Sequence, residues 1–216
     1  MLGDSSTSDS EGIISRAIRK LFSSKAHIEE LSRGNKQVSL SVQLLEIYNE
    51  SVRDLLTTGK EQTNLKIVAN EAVGSTNLSV SSENDVFQIL DKAQQRRCVK
   101  ATGSNETSSR SHMLFTVIFC VKSKDGSTQT GKLNICDLAG SERLSKSGAN
   151  NVGGSLLDET KHINLSLSTL SNVIEKLQSG DKNVPFRESK LTSLLQNSLG
   201  GNSKTLVSEI VLHASL

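Results

Sequence analysis

Two polar segments stand where chemistry could be done. The first, Asn105-Glu106-Thr107-Ser108-Ser109-Arg110-Ser111-His112, is a serine-rich loop leading directly into an apolar strand. The second, Asp137-Leu138-Ala139-Gly140-Ser141-Glu142, follows the apolar run that ends at Cys136. An aspartate at the end of a strand, followed by a glycine, is what a nucleoside triphosphatase needs. The carboxylate can hold the shell of a magnesium ion, and the glycine amide can approach a γ-phosphate without side-chain interference. Taken alone, each segment also fits a plainer role, the first as a solvated connection and the second as a strand-ending turn.

A third segment changes the weight of the first two. VPFRESKLTSLLQNSLGGNSKT, from Val184 to Thr205, follows them in order, and GIISRAI, LEIYNESVRDLL and HINLSLSTLSNVI lie among them. Together these stretches resemble the kinesin superfamily of motor domains from about Gly12 to Thr205, and in wording they are most similar to the kinesin-14, or C-terminal-motor, branch. NETSSRSH and DLAGSE resemble that family's two nucleotide-sensing switch segments, and the Pro185 segment resembles its microtubule-facing loop and helix. The resemblance implies one partial motor domain over residues 1–216, with switch I at about 104–112, switch II at about 137–155 and the microtubule-facing part at about 180–200.

Roles follow from the resemblance residue by residue. Asn105, Ser108, Ser109 and Gly140 would line ATP, with Ser109 and Asp137 holding Mg2+, the latter through water. Ser108, Ser109, Arg110, Asp137, Gly140 and Glu142 would form the catalytic group. Within it, Arg110 and Glu142 would make the ion pair that latches the switches together. A buried arginine–carboxylate contact is bidentate and directional, so such a pair reports on geometry. Arg143, Lys146, Lys161, Lys182, Arg187 and Lys190 would face acidic tubulin. Leu165 stands where many kinesins carry lysine and Ser193 where a basic residue is frequent, which implies modest filament affinity. The implied partner is the microtubule, with homo- or heterodimerisation through a coiled coil outside this chain. The implied location is the cytoplasm and its microtubule cytoskeleton, spindle included.

The elements that must position these residues can be read from periodicity. Ile14, Ala17, Ile18, Leu21 and Phe22 recur at helical spacing. A strand is predicted through Ser41–Tyr48, ending near Asn49, with Val52, Leu55 and Leu56 in a short helical turn after it. LKIV at 65–68 is the best strand candidate in an otherwise loop-like stretch. SENDVFQILDKAQQRR predicts a helix capped by Ser82, with Asp85 near its positive end and Val86, Ile89, Leu90 and Ala93 inward. MLFTVIFCV and KLNICDL predict two strands joined by a hairpin-like turn, and 140–155 a glycine- and serine-rich loop. HINLSLSTLSNVIEKLQ is the longest amphipathic helix. ESKLTSLLQNSL is a further helix, entered after Pro185 and stopped by Gly200-Gly201, and TLVSEIVL predicts a last strand. Strands alternating with long helices define a three-layer α/β domain.

Composition narrows the field. The chain has 216 residues, a net charge of +2 and 3% aromatic residues, with no tryptophan, so its core rests on leucine, isoleucine and valine. So small a net charge gives no electrostatic case for nucleic acid or membrane as partner. Cys98, Cys120 and Cys136 lack C-x-x-C spacing, and Cys120 and Cys136 sit in apolar runs, so buried free thiols and a reducing compartment are expected. No G-x-x-x-x-G-K-S/T occurs in the sequence. In kinesins that loop cradles the β- and γ-phosphates and precedes the segment that here begins at Met1. The chain is therefore read as starting in the helix that the loop launches, with a central sheet lacking its N-terminal strands and with no turnover of its own. A non-catalytic microtubule-binding module is the competing reading. An unrelated nucleotide switch protein fits less well, because of the Pro185 segment.

Overall fold

The computed structural model describes residues 11–57, 64–99, 110–140 and 154–208. Its centre is strand β1 (Lys36–Tyr48), which pairs antiparallel with β6 (His112–Ser123) from Lys36↔Ser123 to Ile47↔His112. β6 turns through Gly126, whose φ of 87° is a left-handed value that glycine adopts without strain, into β7 (Thr128–Asp137). On the other edge of β1 lie β2 (Ser51–Asp54) and β5 (Leu78–Val80), both antiparallel. A separate two-stranded ribbon pairs β3 (Ile67–Val68) with β4 (Glu71–Ala72), so the strand predicted from LKIV is present in its second half.

Side-chain parity divides the core into two layers. Val38, Leu40, Val42 and Leu44 of β1, with Phe115 and Val117 of β6, pack against Ile14 and Ile18 of α1 (Ile13–Leu31) and Val86, Leu90 and Ala93 of α2 (Glu83–Val99). On the opposite face Leu45, Ile47, Val52 and Leu114 meet Leu170 of α3 (Gly154–Gln178) and Leu191, Leu194 and Leu195 of α4 (Lys190–Gly200). The result is the three-layer α/β arrangement, built here on an antiparallel sheet. β1 alternates along its first half and is buried continuously from Leu44 to Ile47, where both faces are covered.

The expected cap of α2 and the expected stop of α4 are in place. Asp85 N–H donates to Ser82 Oγ at 3.2 Å and Ser82 N–H returns to Asp85 Oδ2 at 3.0 Å, a reciprocal cap. N–H donation from Ser81 and hydrogen bonds from Ser82 hold the Asp85 carboxyl below its ordinary value. α4 starts where Ser189 Oγ accepts from Thr192 N–H at 3.1 Å and stops at Gly200. At Gly201 a Cβ would stand 2.5 Å from the Asn197 carbonyl oxygen, so only glycine fits this stop.

Two sequence expectations are corrected. Val52, Leu55 and Leu56 do not form a helical turn: Asn49 and Glu50, at φ 50° and 54°, make a tight two-residue hairpin turn that returns the chain as β2. Leu55 and Leu56 follow it, with Asp54 accepting from Leu56 N–H at 2.8 Å and from Thr76 N–H at 2.6 Å. Nor does TLVSEIVL begin a strand. Residues 203–208 are irregular, with Leu206 and Val207 84% and 65% exposed, and the rest of that stretch lies outside the described residues. A strand needs a hydrogen-bonded neighbour, and among the described residues none is offered to this segment.

Candidate functional site

The described parts of the two candidate segments, Arg110–His112 and Asp137–Gly140, meet at the start of β6. Arg110 is half-buried, and Ser111 and His112, at the entrance to the strand, reach partners in opposite layers of the domain.

On the α2 face, Ser111 Oγ donates to Glu46 Oε1 at 2.9 Å and accepts from Arg97 Nη2 at 2.8 Å. Arg97 Nε also lies 3.4 Å from Glu46 Oε1, and Arg53 Nη1 3.7 Å from Glu46 Oε2. Glu46 is only 4% exposed, so its charge is carried by these neighbours rather than by water. Arg53 also stacks over the Tyr48 ring at 5.2 Å, and Arg96 Nη1 donates to the carbonyls of Leu55 and Thr57 at 2.7 and 2.9 Å. The clasp joins the end of α2 to the start of β6.

On the α3 face, His112 is 3% exposed, and its Nδ1 accepts from Ala139 N–H at 3.0 Å. An amide only donates, so Nδ1 holds the lone pair and the proton of the neutral ring sits on Nε2. Nε2–H then donates to Ser166 Oγ at 2.8 Å, leaving the Ser166 hydroxyl proton for the Ile163 carbonyl at 2.8 Å. Burial pushes the imidazole down to about 4 from 6.5. Below pH 6.5 the unfolded chain takes up a proton that the folded chain refuses until about pH 4. The contribution to stability is therefore full above pH 6.5 and is lost across that window. The complete loss amounts to about 3 kcal/mol. Urea unfolding at about pH 7 and about pH 4.5 should show a steeper acid loss in the parent than in His112→Gln, whose side chain does not titrate. Equal slopes would defeat this assignment.

The Asp137–Gly140 turn leaves β7 beside these residues. Among the described residues no donor or cation engages the Asp137 carboxylate, and Ala139 is buried. The next residue inward, Cys136, has its thiol pushed up to about 12 by burial and by the Asp137 charge, so it stays protonated. Cys120 and Cys136 are free thiols in half-buried residues. Among the described residues no group of three histidine, cysteine or acidic side chains is placed to hold a metal ion.

Of the other predicted residues, Asn105, Ser108, Ser109, Glu142, Arg143 and Lys146 lie outside the described residues, and Lys161 is described only as part of α3. Lys182 and Arg187 are exposed on the connection between α3 and α4, and Lys190 is half-buried at the start of α4, its backbone N–H donating to Glu50 at 2.8 Å. Leu165 is exposed on α3. Ser193 is turned inward, its hydroxyl donating to the Phe186 carbonyl at 3.0 Å, so that position closes the Phe186–Glu188 turn rather than serving the surface. Glu46, Arg97, Ser166 and the role of His112 are additions. A glutamate inside the apolar run LEIY and a histidine at a strand entrance were the available signals.

A strand-ending Asp-x-x-Gly turn is thus tied by a buried histidine to a long helix on an α/β scaffold. The family model for the kinesin motor domain matches residues 1–215, and the chain belongs to the kinesin motor family. It is 43% identical to kinesin-like protein KIN-14N of Oryza sativa subsp. japonica, over 96% of this chain and 28% of that protein. It is 42% identical to KIN-14M of Arabidopsis thaliana, over 96% of this chain and 29% of that protein, so its likeness extends to the kinesin-14 branch. Among solved structures, a fast kinesin superposes with a TM-score of 0.78 at 37% identity, covering 94% of this chain and 57% of that one. The motor domain of the kinesin-like protein Kar3 from Saccharomyces cerevisiae gives 0.70 at 36%, covering 91% and 59%. The chain thus spans under a third of these curated relatives and a little over half of the solved chains.

Proposed function

We propose that this chain is the switch-bearing and filament-facing part of an ATP-driven microtubule motor. The observation that carries the reading is the junction at His112, where the Asp-x-x-Gly turn and α3 share one buried hydrogen-bond chain. Gly140 would offer its amide to the γ-phosphate, and Arg110 would meet Glu142 when nucleotide is enclosed. Asp137, with Ser109, would hold magnesium, which when bound supplies charge neutralisation across the phosphates. Asn105 and Ser108 would line the nucleotide.

The filament contact would be made by Arg143, Lys146, Lys161, Lys182, Arg187 and Lys190, against an acidic tubulin surface. The fast-kinesin structure was described for its ATPase mechanism and its interactions with microtubules, which supports both halves of this assignment. Residence on the microtubule cytoskeleton follows from it. Dimerisation through a coiled coil is supported by a solved relative, a Kar3Vik1 motor on a synthetic heterodimeric coiled coil.

Cosedimentation with polymerised tubulin tests the filament contact. Saturable pelleting is expected, weakening as salt rises from about 0.05 to about 0.2 M, because exposed cations are screened over that range. Lys182→Glu with Arg187→Glu should weaken pelleting further. Absence of pelleting at the lowest salt, with the fold intact by circular dichroism, would overturn the proposal.

A further inference from the structure

We propose that Glu50 is a positioning residue for the filament contact. From the tip of the β1–β2 hairpin its carboxylate grips the first amide of α4, and so fixes the Phe186–Glu188 turn and the cations Arg187 and Lys190 in the frame of the sheet. The inference rests on the filament reading above and names the side chain that aims that surface.

Three observations carry it. First, Glu50 stands where its residue type is unfavourable. A tight hairpin turn with both central residues left-handed is made most readily by glycine, asparagine and aspartate. Asn49, at φ 50°, follows that preference and Glu50, at φ 54°, does not. A charged residue held in a disfavoured backbone conformation points to a role for its side chain. Second, that side chain has a definite partner 140 residues on: Lys190 N–H donates to Glu50 Oε2 at 2.8 Å. A carboxylate suits the positive end of a helix. Since Thr192 N–H goes to Ser189 Oγ, the start of α4 is capped once from its own chain segment and once from the sheet. Third, the Phe186–Glu188 turn takes its position from α4. The Phe186 carbonyl accepts from the hydroxyls of Thr192 and Ser193 at 2.7 and 3.0 Å, and a Cβ on Gly200 would stand 2.9 Å from the Phe186 ring. α4 in turn lies on the sheet through Leu191, Leu194 and Leu195, and such apolar contact is not directional. The Glu50 hydrogen bond supplies direction at the end of the helix where Arg187 and Lys190 stand.

Glu50→Gly and Glu50→Gln separate the roles this side chain could have. Glycine removes the acceptor but suits the turn, so the hairpin is kept; glutamine keeps an acceptor oxygen and drops the charge. Amide hydrogen exchange at Lys190 in the free chain should rise about tenfold in Glu50→Gly, the equivalent of one hydrogen bond, and stay within about threefold of wild type in Glu50→Gln. Cosedimentation with polymerised tubulin should weaken about fivefold in Glu50→Gly and stay near wild type in Glu50→Gln. Both variants should unfold in urea near the wild-type midpoint, because the eased turn offsets the lost bond in the glycine variant. Undiminished pelleting by Glu50→Gly, with exchange at Lys190 raised, would leave Glu50 a helix cap and overturn the positioning role. Tighter pelleting by both variants would make it a surface charge that tubulin repels, and would overturn the role as well. Unchanged exchange at Lys190 in Glu50→Gly would remove the contact itself. If wild type fails to pellet, the filament reading falls and this role with it, while exchange at Lys190 still decides whether Glu50 holds α4.

Discussion

Replacing Glu46 by glutamine, or Arg97 by methionine, should lower the unfolding free energy by about 3–5 kcal/mol in each case. The reason is the asymmetry of buried charge. Glu46 and Arg97 are enclosed together, 5% and 10% exposed in their side chains, and Ser111 bridges them. Removing one charge does not return the other to water; it strands it. A domain of this size holds roughly 5–15 kcal/mol in all, so either change takes a large share. The double variant should cost less than the sum of the two, because only Arg53, 26% exposed in its side chain, is left without its carboxylate. Urea denaturation of the four proteins gives the cycle. Additive losses below about 1 kcal/mol each would mean that the pair is hydrated and of surface type.

Arg110→Ala should have the largest effect on catalysis. In a chimera that supplies the phosphate loop of a kinesin-14 relative ahead of Met1, it should cut microtubule-stimulated turnover by about 100-fold or more. Nucleotide affinity should stay within about threefold, since the proposed latch would close only after nucleotide has bound. Arg110→Lys should rescue little, because an ammonium is a point charge without the planar fork that a carboxylate engages at two atoms. Arg110 directly precedes two residues that are held in opposite layers, Ser111 by Glu46 and His112 by Ser166, so its backbone position is fixed from both faces. Parallel loss of nucleotide affinity, or full turnover with lysine, would show that the latch is misassigned.

Local rules carried much of this molecule. Ser82 and Asp85 announced α2, the apolar run Met113–Val121 announced β6, and Gly200-Gly201 marked the stop of α4, because each signal acts within a few residues. The failures were non-local or conformational. β2 was hidden because Leu55 and Leu56, adjacent and apolar, look helical, whereas the deciding feature is the left-handed pair Asn49 and Glu50. Glu46 reads as an anomaly in an apolar strand until Arg97, 51 residues on, comes to lie beside it. The proposed site was written as motifs, in Asp137, Gly140 and Arg110. What ties those motifs to α3 was not, since nothing in the spacing of His112 and Ser166 says that they touch. TLVSEIVL has the composition of a strand, but composition does not provide a neighbour.

The central pairing of β1 with β6 has a consequence for how the molecule is made. Glu46 and Ser111, at one end of that pairing, are 65 residues apart. At about 5–20 residues per second, a ribosome leaves β1 waiting for several seconds before β6 exists. During that interval the hairpin with β2 and the pairing with β5 occupy one edge of β1, and the other edge has no strand to receive. β6 and β7, joined by a short turn, can zip locally and arrive as a preformed ribbon. The growing chain thus carries its most buried strand half-covered until β6 is made, and the ribbon that covers it brings Ser111 and His112 to their partners in the same event.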